Sequence, residues 1–243
     1  MGRLRGGIAV IAGLQKMTLL DFPGKVACTL FLQGCNFRCP FCHNSELLPR
    51  QGQPLMDTEG FLSFLEKRKG LLDGVCVSGG EPTLCPELEN LLRSIKDLGF
   101  AVKLDTNGSR PDVLKKLVAQ GLVDYVAMDV KNSPRRYPLT LGFERYDLAP
   151  VEESLRFLLS GSVAYELRTT VVSQFHDAAS LEEMGAWLAS LLPPQKPRCL
   201  FLQFFTDRDT VLFSGLTAPI RQEMENYAAL LGPYVEKIAI RGD

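Results

Sequence analysis

Six apolar, β-rich runs alternate along this chain with six amphipathic runs, and that alternation limits the fold more than any other feature. The apolar runs lie at 26–33, 74–78, 101–105, 125–129, 165–172 and 200–205. Most are continuously apolar, as strands covered on both faces must be. The amphipathic runs lie at 57–69, 86–98, 111–120, 150–160, 180–192 and 218–231, and read as helices. Asp57 stands where an N-cap is wanted, and the run from Pro86 stops at Gly99, the usual asymmetry of helix ends. A further strand is expected at 234–240. Strand–helix units repeated in this way imply parallel strands joined by right-handed crossovers. An open doubly wound sheet and an incomplete barrel both satisfy the pattern, within a single domain spanning 1–243. In either, chemistry belongs at the C-terminal ends of the strands.

The balance of charge narrows the task. Lys and Arg number 27 against 28 Asp and Glu, a formal net charge of -1. No basic surface is forced, so nucleic acid is not the expected partner. No apolar run is long enough to cross a bilayer, so no membrane partner is expected either. The stretch 6–14 has a faint likeness to a signal-peptide core, but its glycines and shortness argue against export. A cytoplasmic, reducing location follows, and with it the question of what seven cysteines bind.

Three of the seven cluster. After the first predicted strand comes Cys35-Asn36-Phe37-Arg38-Cys39-Pro40-Phe41-Cys42-His43-Asn44, a C-x3-C-x2-C spacing on a loop. Iron–sulfur clusters take thiolate ligands, and three thiolates leave one iron of a cubane open. An open position is what a catalytic centre needs. A structural zinc held by the three cysteines and His43 is the competing reading, in a non-catalytic interaction module. His43 directly follows Cys42 and would strain to reach the same ion, and no second C-x2-C pair exists. Cys28, Cys76 and Cys199 fall in or beside predicted strands, where buried structural cysteine is the default.

The cysteine loop, with Phe41 before its third thiol, resembles the signature of the radical S-adenosylmethionine (SAM) enzymes. The continuation Cys42-His43-Asn44 resembles the activating enzymes of glycyl-radical enzymes. The runs 13–25 and 31–39 most resemble activating proteins of anaerobic ribonucleoside-triphosphate reductase. The resemblance implies a partial (β/α)6 TIM-type barrel, a [4Fe-4S] cluster held by Cys35, Cys39 and Cys42, and SAM as cofactor. It implies reductive cleavage of SAM to a 5′-deoxyadenosyl radical, which abstracts hydrogen from a glycine of the partner. The partner would be anaerobic ribonucleotide reductase, and a reduced flavodoxin or ferredoxin would donate the electron. Other glycyl-radical partners, of the pyruvate formate-lyase type, and a small-molecule substrate are the alternatives.

Motifs at the other strand ends fit this expectation. Ser78-Gly79-Gly80-Glu81-Pro82 follows the second predicted strand, and glycines there let backbone approach a ligand. The resemblance assigns Gly79, Gly80 and Glu81 to the methionine ammonium. A plain strand-to-helix turn is the alternative. Asp105-Thr106-Asn107 and Met128-Asp129-Val130-Lys131 end the next two strands. By resemblance Lys131 meets the methionine carboxylate, and Asp105, Asn107 and Asp129 lie around the cofactor. Asp105, Thr106, Asp129 and the Met128 carbonyl would then hold a monovalent cation. Helix capping and an Asp129–Lys131 surface pair are the plainer readings. Arg168, in an apolar strand, needs an anion, either the cofactor, Glu166 or Asp129. No histidine stands near the sixth strand end for the adenine, which leaves Phe41 and Gln203. Asp21-Phe22-Pro23-Gly24 resembles the Asp-Gly-Pro-Gly that touches the substrate loop in pyruvate formate-lyase activators, with Phe22 out of pattern. Asp21 is the expected substrate contact.

Overall fold

The computed structural model describes residues 10–48 and 54–242. Eight strands follow one another in chain order, β1 to β8. The described parts divide into two compact units.

The first unit draws on Met1–Asn36, Glu46–Thr106 and Asp112–Val126. It opens with β1 (Ile11–Thr18), antiparallel to β2 (Ala27–Leu32). Then come α1 (Thr58–Glu66), β3 (Gly74–Gly79), α2 (Leu88–Asp97), β4 (Ala101–Thr106) and α3 (Pro111–Ala119). β2 pairs parallel with β3, and β3 with β4. Asp57 is the N-cap expected: its Oδ1 accepts from the Gly60 N–H at 2.8 Å. The strands read as buried runs because they are buried; Ala27, Cys28 and Leu30 have no exposed surface, nor do Val75, Cys76 and Val77.

β5 (Tyr125–Asp129) begins in the first unit and ends in the second. The second unit continues through α4 (Tyr137–Leu141), α5 (Ala149–Leu159), β6 (Ala164–Val171), α6 (Ala178–Ser190), β7 (Leu200–Phe204), α7 (Arg221–Leu231) and β8 (Ile238–Arg241). β6, β7 and β8 run parallel. The segment Phe37–Ser45, which carries Cys39 and Cys42, also packs into this unit.

Two elements depart from the sequence reading. β1 overlaps the stretch 6–14, whose faint likeness to a signal-peptide core was set aside but which was given no strand; residues 6–9 of that stretch lie outside the described residues. α4 forms between the predicted strand at 125–129 and the predicted helix at 150–160, where no element was expected, and ends at Gly142 in the left-handed region (φ 78°). A Cβ there would stand 2.5 Å from the Arg38 carbonyl oxygen, so the turn doubles as a rest for the cysteine loop.

Within the second unit, Glu166 on β6 is 1% exposed and takes a two-pronged ion pair from Arg241 on β8, at 2.9 and 2.8 Å. Paired Arg–carboxylate geometry of this kind gives the pair direction as well as strength. The Arg241 guanidinium also lies 3.3 Å from the Phe201 ring centroid.

Candidate functional site

In the first unit, the strand ends crowd upon one another. The Gly80 N–H donates to the Leu32 carbonyl at 2.9 Å, and the Glu81 N–H to the Gly34 carbonyl at 2.7 Å. A Cβ on Gly79 would stand 2.2 Å from the Leu32 oxygen, and one on Gly80 2.2 Å from the Gly34 oxygen. The glycine pair therefore lets the turn after β3 lie flat on the residues that lead into Cys35. Glu81 is buried and N-caps the short helical turn Pro82–Leu84. Its Oε1 accepts from the Thr83 N–H at 3.1 Å, from the Thr83 hydroxyl, and from the Thr106 hydroxyl at 2.8 Å. Glu81 thus ties the end of β3 to the end of β4.

Asp105 stands at that end of β4. Its Oδ2 accepts from the Ser78 hydroxyl at 3.0 Å, and its Oδ1 from the ammonium of Lys103. Glu81, Asp105 and Lys103 together carry one excess negative charge, suited to a cationic ligand group.

The cysteine loop is pinned by its backbone. Cys42 N–H donates to the Cys39 carbonyl at 3.0 Å, and Arg38 N–H to the Leu141 carbonyl at 3.1 Å. The segment after β7 clasps it from another side. The Phe213 N–H donates to the Pro40 carbonyl at 3.1 Å, and the Thr210 hydroxyl to the His43 carbonyl at 2.6 Å. The Ser45 hydroxyl donates to the Thr210 carbonyl. Phe41 is buried against Phe175, with centroids 5.7 Å apart, and against the edge of His176. Its ring is built into the packing, which leaves the half-buried Gln203 on β7 as the less occupied of the two residues expected at the adenine.

Asp129 lies between two cations. Arg168 Nε donates to its Oδ1 at 3.0 Å and Lys131 Nζ to its Oδ2 at 2.9 Å. That decides the Arg168 alternatives on the protein side, because Glu166 is taken by Arg241. Burial works to raise the Asp129 pKa, but Arg168 and Lys131 outweigh it and hold the carboxyl well below its usual range. Burial likewise works to lower Lys131, and the charges of Asp129 and Cys39 outweigh it and hold the ammonium high. The triad carries one excess positive charge, suited to a carboxylate. Asn107 is buried, and its Oδ1 accepts from the Ser109 N–H at 2.9 Å, a local turn that lies ahead of α3 (Pro111–Ala119) rather than the helix cap of the plainer reading. Met128 packs against Gly108, where a Cβ would meet its methyl at 2.0 Å.

His176 is not the solvated loop residue its position suggests. It is 2% exposed; its Nε2–H donates to the Lys131 carbonyl at 2.8 Å, and its Nδ1 accepts from the Val172 N–H at 3.1 Å. Burial pushes its pKa down, so it stays neutral and holds the Lys131 backbone. Asp21 is tied back to β2, its Oδ2 accepting from the Thr29 hydroxyl at 2.5 Å. Phe22, the residue out of pattern, is a core residue: it is buried and packs on Tyr125 at 6.1 Å.

The donor set fits an iron–sulfur cluster. None of the seven cysteines is in a disulfide. Cys39 lies near enough to Lys131 for its charge to help hold the Lys131 ammonium high. Two buried polar atoms flank the loop in sequence without a hydrogen-bond partner, Gln33 Oε1 before Cys35 and His43 Nε2 after Cys42. Buried orphans of this kind mark a place where a further group is received. His43 stacks on Phe205 at 5.5 Å, and burial followed by Arg208 lowers its pKa. Among the described residues, no three His, Cys, Asp or Glu side chains converge as one bare metal ion requires. A cubane asks less, since each thiolate meets its own iron.

Comparison with known proteins agrees with this chemistry. The family model of the radical SAM superfamily matches residues 29–161. The chain belongs to the radical SAM superfamily. Within that superfamily it is similar to proteins named as activating enzymes. A protein of Methanocaldococcus jannaschii named as a glycyl-radical enzyme activating enzyme is 29% identical over 96% of each chain. The pyruvate formate-lyase-activating enzyme of Clostridium pasteurianum is 32% identical over 127 residues, covering 50% of this chain and 52% of the relative. A solved domain of a pyruvate-formate lyase-activating enzyme from Bacteroides vulgatus matches with a TM-score of 0.56 at 20% identity, covering 70% of this chain and 99% of that one. The fold is the α/β, partial TIM-type class expected. The enzyme's cofactors are those of its superfamily, a [4Fe-4S] cluster and SAM. Among the described residues no helix is long and apolar enough to cross a membrane.

Sequence reasoning missed Lys103 and the roles of His43 and His176. The signal for Lys103 was a lysine inside a continuously apolar strand, two residues before a carboxylate.

Proposed function

We propose that this enzyme installs a glycyl radical on a partner enzyme, with anaerobic ribonucleotide reductase as the partner. The observation that carries the activating role is the match, over 96% of both chains, to a protein named as a glycyl-radical enzyme activating enzyme; the choice of partner rests on the resemblance of the runs 13–25 and 31–39. Bound together, the cluster and SAM supply one-electron cleavage of a carbon–sulfur bond and so a carbon-centred radical. The protein's own residues bind, orient and exclude water. Cys35, Cys39 and Cys42 hold the cluster, and the backbone clasp from 206–217 fixes the loop that carries two of them. The ammonium of SAM is received by Gly79, Gly80 and Glu81, where the local charge is negative. Its carboxylate is received by Lys131 and Arg168, where the charge is positive. Asp105, Asn107 and Asp129 orient these groups, and Gln203 lies toward the adenine. Asp21 meets the glycine-bearing segment of the partner. A reduced flavodoxin or ferredoxin supplies the electron.

Anaerobic reconstitution with iron and sulfide, then reduction with SAM, is expected to release 5′-deoxyadenosine. Electron paramagnetic resonance on a mixture with anaerobic ribonucleotide reductase is expected to show a glycyl doublet. The Clostridium relative favours a second partner, so pyruvate formate-lyase belongs in the same experiment. A doublet on the lyase alone would transfer the activity to that partner; release of 5′-deoxyadenosine with no doublet on either would point to a small-molecule substrate.

A further inference from the structure

Lys103 sits in β4 with 1% of its side chain exposed. Residues two apart on a strand share a face, so its stem runs along β4 toward the C-terminal end. There the ammonium meets Asp105. The parallel register sets Lys103 beside Cys76, and Cys76 beside Thr29. Lys103 Nζ lies 3.8 Å from the Cys76 sulfur, a small neighbour that leaves the stem its room. Burying an ammonium is costly unless it is paired, and an apolar residue would fill this layer at less cost. Packing therefore gives no reason for a lysine here, whereas Asp105 does.

A carboxylate held at a strand end by Ser78 would otherwise draw a small cation from solution, because hard cations seek oxygen ligands. Here the position is met by a charge the chain carries itself. Lysine is a compact point charge on a flexible stem, the nearest a side chain comes to such an ion. The expected oxygen donor Thr106 gives its hydroxyl hydrogen to Glu81. In the second unit Asp129 likewise faces Lys131 and Arg168. The two carboxylates expected to hold a monovalent cation are thus both compensated by protein cations.

We infer that the Lys103 ammonium is a built-in counter-cation for Asp105, so that SAM binding by this chain requires no dissolved sodium or potassium. The inference rests on the proposed placement of SAM at Asp105. Lys103 is a positioning residue: it acts through the carboxylate.

The test is equilibrium SAM binding to the reconstituted holoprotein, and its melting temperature, in sodium, potassium or choline chloride at equal ionic strength. For the wild type, affinity and melting are expected to be the same in all three salts. A roughly tenfold loss of affinity in choline would overturn the inference. Lys103→Met is expected to weaken binding roughly tenfold in choline and to recover with sodium or potassium, a rescue that a structural role would not produce. Equal weakening in every salt would also overturn it. Should Lys103→Met fail to fold, the wild-type salt series decides alone. Asp105→Asn separates the two layers. Unchanged SAM affinity in that variant removes the placement and the inference together. Weakened affinity, with a salt-dependent wild type, removes the inference only.

Discussion

Replacing Gly80 by Ala tests whether the turn after β3 positions the entry to the cysteine loop. The added Cβ would stand 2.2 Å from the Gly34 carbonyl oxygen, 2.7 Å from its carbon and 3.2 Å from the Cys35 nitrogen, all backbone atoms. Carbon atoms keep at least 3.0 Å from such neighbours. The two segments must part by ~0.8 Å, and the 2.7 Å bond from Glu81 N–H to the Gly34 carbonyl is stretched or lost. Overpacking costs about 2 kcal/mol and the lost hydrogen bond about 1 kcal/mol. At 2–4 °C per kcal/mol for a chain of this size, melting should fall by about 6–12 °C. Displacing Cys35 by a comparable distance should lower SAM cleavage by about 100-fold. Thermal melts, bound iron per chain and 5′-deoxyadenosine yield measure the three effects. Gly232→Ala, at a helix end with φ -51°, is the control and should change melting by less than about 1 kcal/mol in equivalent stability. A Gly80→Ala protein that melts with the wild type, binds full iron and cleaves SAM normally would refute the reasoning.

Cys35→Ala, Cys39→Ala and Cys42→Ala should each abolish the cluster's charge-transfer absorption and SAM cleavage; retained cleavage in any of them would remove that ligand from the set. Cys28→Ala and Cys76→Ala should keep the cluster and lower stability by about 1–3 kcal/mol in urea titrations; burial pushes the Cys28 thiol up to about 12, so it offers no thiolate. Arg241→Ala removes the two-pronged pair on the buried Glu166 and should cost about 2–4 kcal/mol, the lower end reflecting the arginine's partial exposure; a loss below about 0.5 kcal/mol would show the pair to be dispensable. His176 titrates below its ordinary 6.5 because it is buried. The unfolded chain therefore binds its proton at higher pH, and stability should fall as pH drops below about 6.5, by at most about 1.4 kcal/mol per unit. His176→Gln should flatten that slope, and an unchanged slope would assign it to another group.

The buried strands were legible because parallel strands covered on both faces leave continuous apolar runs. β5 was bounded correctly at Tyr125–Asp129, and β3 and β4 to within one residue at each end. β1 was not legible. Gln15, Lys16 and Met17 are exposed on an edge strand whose register slips against β2, so no clean alternation survives. α4 has five residues and a proline, too little for a period to declare itself. At the site, residue identities were legible from motif spacing, but partners were not. Arg168 had two candidate carboxylates, Glu166 two residues away and Asp129 39 residues away, and the choice turned on Arg241, 75 residues beyond Glu166. His176 reads as a loop residue because its burial comes from Lys131, 45 residues away. Phe22 breaks a glycine pattern for a packing reason that only Tyr125 reveals.

The ion pair between β6 and β8 also sets an order of events during synthesis. Chains emerge from the ribosome N-terminus first, and early segments begin to fold before later ones exist. β6 can pair with β7 as soon as both have emerged, yet Glu166 then lies in the layer without its guanidinium. The two-pronged pair is completed only when Arg241, in β8, has been made. Closure of this layer thus waits for β8, which leaves the carboxylate open to water, and the strand edge open to chaperones, while the 75 residues between Glu166 and Arg241 are made.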